Sequence, residues 1–99
     1  MRITFDPAAD ADLDGIFAWI EKVSPQAAYD MIARIEARVA LLATPGLAYM
    51  GRPGRDDGTH ELVEAPYIIV YEVHAERDEI VVLAVVHGAQ DREDRANDA

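Results

Sequence analysis

The sequence contains no cysteine, so it can form neither disulfide bonds nor thiolate-based catalytic or metal sites. It also lacks a long apolar run, since the longest, Ile80 to Val86, is far below the roughly 20 residues of a membrane-spanning helix. The first residues, Met1 to Asp6, are too short and too polar for a signal peptide. These absences predict a soluble cytoplasmic protein that has no contact with a membrane.

Positive charge is scarce as well. The chain has 9 Lys and Arg residues against 19 Asp and Glu residues, a formal net charge of −10 at pH 7. Binding to nucleic-acid phosphates needs clustered cations, so direct and specific DNA binding by this chain alone is not expected. The simplest interpretation of the excess is a solvated acidic surface that aids solubility. The alternative is an acidic body that attracts a basic partner, with a local cationic spot at Arg52 and Arg55 for a target.

No motif for a metal ion or a cofactor is present. The three histidines, His60, His74 and His87, have neither helical i, i+4 pairing nor HExxH spacing, so no zinc site is predicted. The glycines around Gly51 do not follow either standard phosphate-loop spacing and indicate a turn. We therefore expect no metal and no cofactor.

The residues that are present predict two amphipathic helices in the first half of the chain. Asp6-Pro7 and Ser24-Pro25 are each typical of an N-cap followed by proline at the first helical position. The spacing predicts helix one over residues 8–23 and helix two over residues 25–43, with so short a connection that they form a hairpin. Apolar side chains repeat at helical spacing on both, at Leu13, Ile16, Phe17 and Ile20, and at Ala28, Ile32, Ile35, Val39 and Leu42.

The second half of the chain predicts strands. A loop over residues 46–59 precedes strands at residues 60–64, 67–73 and 80–86, and alternation around Ile3 and Phe5 predicts a short edge strand at the beginning. The expected fold is therefore α+β, an antiparallel sheet with an N-terminal helical hairpin packed on one face, in the order β-α-α-β-β-β. One domain would span residues 1–92, followed by a polar tail at 93–99. The predicted core combines both halves, namely Leu13, Ile16, Phe17, Ile20, Ile32, Ile35, Val39, Leu42, Ile69, Tyr71, Leu83 and Val85.

Several short motifs occur in an order that is typical of one protein family. They are Asp12-Leu13-Asp14-x-Ile16, Ser24-Pro25 before Ala27-Ala28, Pro45-Gly46 followed by Gly51-Arg52, Glu61-Leu62, Tyr67-x-Ile69-x-Tyr71 and Val86-His87-Gly88-Ala89. Over residues 2 to about 92 the chain resembles the RelE/ParE superfamily of small bacterial toxins, and the ParE-like branch more closely than the RelE-like branch. The resemblance implies a toxin of a type II toxin–antitoxin pair.

What the resemblance implies about activity depends on the branch. A ParE-like toxin inhibits DNA gyrase by binding, whereas a RelE-like toxin cuts messenger RNA on the ribosome. The sequence departs from the nuclease pattern, because His60 and Gln90 stand where the family often has arginine. Gyrase binding is the expected activity; the alternatives are a ribosome-dependent messenger RNA endonuclease and a non-toxic interaction module of the same fold.

The resemblance and the residue types together suggest three groups of candidate site residues. Catalysis, if present, would use Arg52, Arg55, His60 and His87, because RNA cleavage needs a proton-transfer group and a cation near the phosphate. Target binding would use Arg52, Arg55 and Tyr67. The implied antitoxin, a ribbon-helix-helix protein with a basic C-terminal segment, would contact Asp10, Asp14, Trp19, Glu21 and Met31.

Overall fold

A computed structural model describes residues 1–89 of the chain. The predicted tail at residues 93–99, the predicted domain end at residue 92 and the neutral Gln90 lie outside the described residues. None of the helices within the described part is long and apolar enough to cross a membrane.

The two helices form where the capping signals place them. Helix α1 spans Pro7–Glu21, and the carboxylate of Asp6 accepts a hydrogen bond of 2.9 Å from a backbone N–H of its first turn. Helix α2 spans Pro25–Ala40, capped in the same way by the hydroxyl of Ser24, and continues as a single 3-10 turn over Leu41–Ala43. Each cap satisfies a backbone donor that would otherwise have no partner. Proline suits the first position of both helices because it has no N–H that would need a partner and its φ angle is already helical.

Five strands form one sheet against which the helices pack. They are β1 (Arg2–Phe5), β2 (Arg52–Pro53), β3 (Thr59–Glu64), β4 (Tyr67–His74) and β5 (Glu79–His87), arranged in the order β1-β5-β4-β3-β2. The α+β class and the helical hairpin are confirmed. Two details of the predicted sheet are wrong: β1 runs parallel to β5, so the sheet is mixed, and the predicted loop contains the short strand β2.

The parallel pairing follows from the path of the chain. The helical hairpin carries the chain away from β1, and the meander of β3, β4 and β5 then returns it, so that β5 lies between β4 and β1. Because β1 is short, it covers only residues 79–82 of β5, and no strand within residues 1–89 covers the same edge of residues 83–87. This uncovered edge positions the cleft described below.

The core lies between the helices and one face of the sheet, and most of its predicted members are there. Ile16, Ile35, Val39, Leu42, Ile69, Tyr71 and Val85 belong to it, and Leu13, Ile20 and Ile32 pack against it. The prediction that Phe17 belongs to the core is wrong. Its ring is half-buried and meets the ring of Tyr29 edge to face, with 4.9 Å between the ring centroids.

Leu83 is the second incorrect core prediction. The register between β4 and β5 shifts so that Val70 pairs with Ala84 whereas Tyr71 pairs with Val82, and Leu83 has no partner in β4. One extra residue in a strand reverses the faces of the residues beyond it. Val82 and Val85 therefore both face the helices, and Leu83 is only half-buried.

Candidate antitoxin-binding and target-binding surfaces

An open cleft with a volume of about 620 Å³ lies between α1 and the uncovered part of β5. We call it the α1 cleft. Helix α1 and the ends of β4 and β5 supply its lining residues, which are Ala11, Asp12, Gly15, Ile16, Trp19, Tyr67, Val85, Val86 and His87. The cleft exists because β1 ends at Phe5, so that a helix rather than a strand stands beside the end of β5.

Asp12 joins the two walls of the α1 cleft. Its Oδ2 atom accepts a hydrogen bond of 2.9 Å from the backbone N–H of Val85. That N–H lies on the edge of β5 that β1 does not cover, and a buried backbone donor without a partner would be costly. In the sequence Asp12 stands out only as part of a motif, and its contact with Val85 could not be predicted because it depends on where β1 ends.

The residues predicted to bind an antitoxin are spread over the helical hairpin. Trp19 lines the α1 cleft with 70% of its surface exposed, and the Nζ atom of Lys22 lies 5.2 Å from the centroid of its ring. Asp10, Asp14 and Glu21 are exposed along α1 but do not line the cleft. Met31, on α2, is half-buried and packs against the core, so little of it is available to a partner.

Tyr67 and His87 close the far end of the α1 cleft. The two rings meet edge to face with their centroids 5.6 Å apart. Tyr67, a candidate for target binding, is only 7% exposed, since its side chain faces the helices. Burial raises the pKa of its hydroxyl. His87 is exposed, and its Nδ1 atom accepts a hydrogen bond from the backbone N–H of Ala89.

Arg52 lies on the other face of the sheet and is ion-paired. Its Nη2 and Nε atoms are 3.1 and 3.2 Å from Oε1 of Glu61, a carboxylate whose side chain is 2% exposed. Pairing of β2 with β3 places the two residues opposite each other. No sequence pattern indicates this pair, because a strand of two residues has no recognisable periodicity. Arg55 is exposed in the loop between the same strands.

His60 belongs to a row of aromatic rings on the helix-facing side of the sheet. Its ring stacks on that of Tyr71 at 5.3 Å between centroids and meets the ring of Tyr49 edge to face at 5.5 Å. The hydroxyl of Tyr71 accepts a hydrogen bond of 3.0 Å from the backbone N–H of Gly51. His60 therefore helps to hold the loop before β2 against the sheet.

The four candidate catalytic residues are not brought together. Neighbouring residues of a strand point to opposite faces, so Arg52, opposite Glu61, and His60, opposite Tyr71, lie on different sides of the sheet. His60 and His87 pair with Tyr71 and Tyr67, which are separated by about 13 Å along β4. Nor do residues 1–89 contain a group of three or more His, Cys, Asp or Glu side chains arranged to hold a metal ion.

Comparison with known proteins gives a consistent result. The profile of a family described as the ParE toxin of the type II toxin–antitoxin system parDE matches residues 3–92. The candidate toxin Y4kP of Sinorhizobium fredii is 44% identical over 91 residues, which cover 90% of this chain and 90% of that protein.

Solved structures of toxin–antitoxin systems are also similar. A chain of the chromosomal ParDE system from P. aeruginosa superposes with a TM-score of 0.76 at 26% identity, covering 88% of this chain and 95% of that one. The isolated RelE toxin of E. coli superposes with a TM-score of 0.55 at 15% identity, covering 96% and 97% of the two chains. The second likeness concerns the fold alone.

Proposed function

This chain belongs to the ParE toxin family of type II toxin–antitoxin systems, and we propose that it arrests bacterial growth by binding DNA gyrase in the cytoplasm. In this proposal its toxicity requires no RNA cleavage, and a cognate antitoxin neutralises it. The separation of the candidate catalytic side chains is the observation that carries the proposal.

Cleavage of RNA needs a proton acceptor, a proton donor and a cation within reach of one phosphate. Arg52 directs its guanidinium to Glu61, and His60 is held between two aromatic rings on the opposite face of the sheet. His87 lies at the end of β5, beside the α1 cleft. No single phosphate in contact with Arg52 would also reach both histidines. This arrangement favours binding over catalysis.

The proposed target surface is the loop that carries Arg52 and Arg55. The side chain of Arg52 is 53% exposed despite its ion pair, so its remaining guanidinium N–H groups can contact a partner. Tyr67 contributes little to this surface because it is buried on the other side of the sheet. Arg52 and Arg55 are exposed cations on a chain of net charge −10, and an acidic patch on a target would recognise them, although Asp56 and Asp57 in the same loop offset their charge.

The proposed antitoxin surface is α1. Asp10, Asp14 and Glu21 expose carboxylates there, and Trp19 exposes a large aromatic ring beside the α1 cleft. Aromatic side chains of this kind are enriched at interfaces, and complementary charge speeds association. We expect the antitoxin to be a ribbon-helix-helix protein whose basic C-terminal segment lies along this helix.

The test is to induce the chain alone in a bacterium and follow two outcomes separately. Inhibition of gyrase would bring DNA-damage signalling while bulk messenger RNA stays intact, and the purified chain would inhibit supercoiling by gyrase. Replacing Arg52 and Arg55 together with Gln should weaken this inhibition. The matched control replaces Arg2 and Arg77 with Gln, because both arginines are exposed and, like Arg52, ion-paired, but lie away from the loop: Arg2 is on the opposite edge strand and Arg77 is in the turn between β4 and β5.

Two other results would contradict the proposal. Early cleavage of messages within codons, lost on replacing His87 or Arg52, would assign the chain to the ribosome-dependent endonucleases. A chain that binds the product of its neighbouring gene but causes no growth arrest would be a non-toxic interaction module of the same fold.

A further inference from the structure

We infer that the α1 cleft is a binding site for an arginine side chain of the antitoxin, with the guanidinium held between the carboxylate of Asp12 and the ring of Trp19. The inference rests on the proposed function in one respect, namely that the donor of the arginine is the antitoxin. The site itself follows from the chemistry of the cleft.

The carboxylate of Asp12 supplies the charge. An ionised carboxylate has about four acceptor positions on its two oxygens, and the N–H of Val85 occupies one of them. Asp12 is half-buried in the wall of the cleft, and within residues 1–89 no cationic side chain forms an ion pair with it. A partly buried anion that is anchored on one side is therefore ready to accept a cation on the other.

Trp19 supplies a flat surface for that cation. The Nζ atom of Lys22 already lies 5.2 Å from the centroid of the Trp19 ring, so the ring attracts a cation within the chain itself. With 70% of the residue exposed, much of the indole surface remains open. A guanidinium is planar and weakly hydrated, so it stacks on an indole and forms two parallel hydrogen bonds to a carboxylate better than an ammonium does.

The same features disfavour other occupants. An apolar side chain would remove water from the carboxylate of Asp12 without replacing its hydrogen bonds, which is costly. A second copy of this chain would bring another net charge of −10 towards the acidic surface of α1. Arginine from a basic segment satisfies both the carboxylate and the ring.

Trp19 is the single tryptophan of the chain, so intrinsic fluorescence reports on this cleft alone. The probe is N-acetyl-arginine amide, and its uncharged analogue N-acetyl-citrulline amide is the control, both titrated at constant ionic strength. We expect a saturable fluorescence change with the arginine probe at roughly millimolar concentration, as is usual for so small a ligand. Citrulline should give no saturable change.

The diagnostic variant is Asp12→Asn. An asparagine oxygen can still accept the hydrogen bond from Val85, so the fold is retained while the charge is lost. We expect the arginine probe to bind roughly tenfold more weakly to this variant, a loss of about 1.4 kcal/mol, because a hydrogen bond to a charged acceptor is stronger than one to a neutral amide. Glu36→Gln, an equal charge change at an exposed position of α2 outside the cleft, should alter probe binding by less than about twofold. Equal effects of the two variants would overturn the inference.

Binding of the antitoxin separates this inference from the function proposed above. The product of the neighbouring gene should dissociate faster from the Asp12→Asn variant than from the unaltered chain. If it binds both equally well, the antitoxin surface stands and the arginine site is refuted. If it binds neither while the arginine probe still distinguishes Asp12→Asn from Glu36→Gln, the cleft is confirmed as an arginine site and its assignment to an antitoxin is refuted. A dimer of the chain that Asp12→Asn disperses would assign the cleft to a second copy and also refute the inference.

Discussion

At the scale of single residues, Gly51 shows how little room separates the loop before β2 from the sheet. A Cβ atom at this position would lie 2.7 Å from the backbone oxygen of Glu61 and 2.8 Å from the hydroxyl oxygen of Tyr71. Gly51→Ala should therefore lower the free energy of unfolding by about 1–3 kcal/mol, because neither neighbour is the free end of a flexible side chain. Urea denaturation would measure the change.

The control is Gly15→Ala on α1, where a Cβ atom would meet nothing within 4 Å. Alanine is favoured over glycine inside a helix, so this variant should gain about 0.5–1 kcal/mol. If the two variants were equally stable, the close approach at Gly51 would not constrain the fold.

Tyr71 should make the free energy of unfolding depend on pH in the alkaline range. Burial raises the pKa of its hydroxyl, and the hydrogen bond from Gly51 opposes this only in part. Tyrosine in the unfolded chain loses its proton near pH 10, where folded Tyr71 still retains it. The contribution of Tyr71 to the free energy of unfolding should therefore be constant below about pH 10 and be lost as the pH rises through its raised pKa. Denaturation midpoints between about pH 8 and 11 would measure this, and Tyr71→Phe should show a shallower decline.

At the scale of secondary-structure elements, the helices and the strands β3, β4 and β5 could be predicted from local signals, but the parallel pairing of β1, the short strand β2 and the register of β5 could not. Capping residues and helical spacing fix α1 and α2. In β5, every position from Ile80 to Val86 is apolar, so alternation does not indicate which residues face the helices. The extra residue at Leu83 is a property of its pairing with β4 and leaves no trace in the sequence.

A core position that was predicted correctly, Ile35, can be compared directly with one that was predicted wrongly, Leu83. Ile35 is fully buried between α2 and the sheet, so Ile35→Ala should cost about 2–5 kcal/mol. Leu83→Ala should cost clearly less, because the half-buried side chain leaves a smaller cavity. Chemical denaturation of both variants would check the order. A larger loss for Leu83→Ala would mean that its side chain faces the core and that the register is different.

The candidate site was also predictable only where single residues carry the signal. The acidic face of α1 and the exposed Trp19 follow from composition and helical spacing. The pairing of Arg52 with Glu61 depends on a strand of only two residues. The contact of Asp12 with Val85 depends on the end of a strand that lies 73 residues away along the chain. Such contacts become visible only once the sheet is assembled.

At the scale of the whole molecule, the proposed function predicts that charge controls the rate of association with an antitoxin. A net charge of −10 and an acidic α1 should draw a basic antitoxin segment over distances near the Debye length, about 10 Å at 0.1 M salt. Raising NaCl from about 50 mM to about 500 mM should slow association roughly tenfold or more while dissociation changes little. Stopped-flow mixing would measure both rates.

Trp19→Ala is the complementary variant, because it should speed dissociation and leave association nearly unchanged. An association rate that is the same at both salt concentrations would refute the electrostatic contribution of α1.

The parallel pairing of β1 with β5 has a consequence for synthesis. Thr4 and Glu79, whose side chains are hydrogen-bonded at 2.9 Å, are separated by 75 residues along the chain. Contacts between such distant positions form late in folding, since a long loop must close before they can contribute. At about 5–20 residues per second, a ribosome releases β5 several seconds after β1. The nascent chain therefore cannot form the α1 cleft until β5 has been synthesised, and a partner that uses the cleft, as inferred above, would bind only after that point.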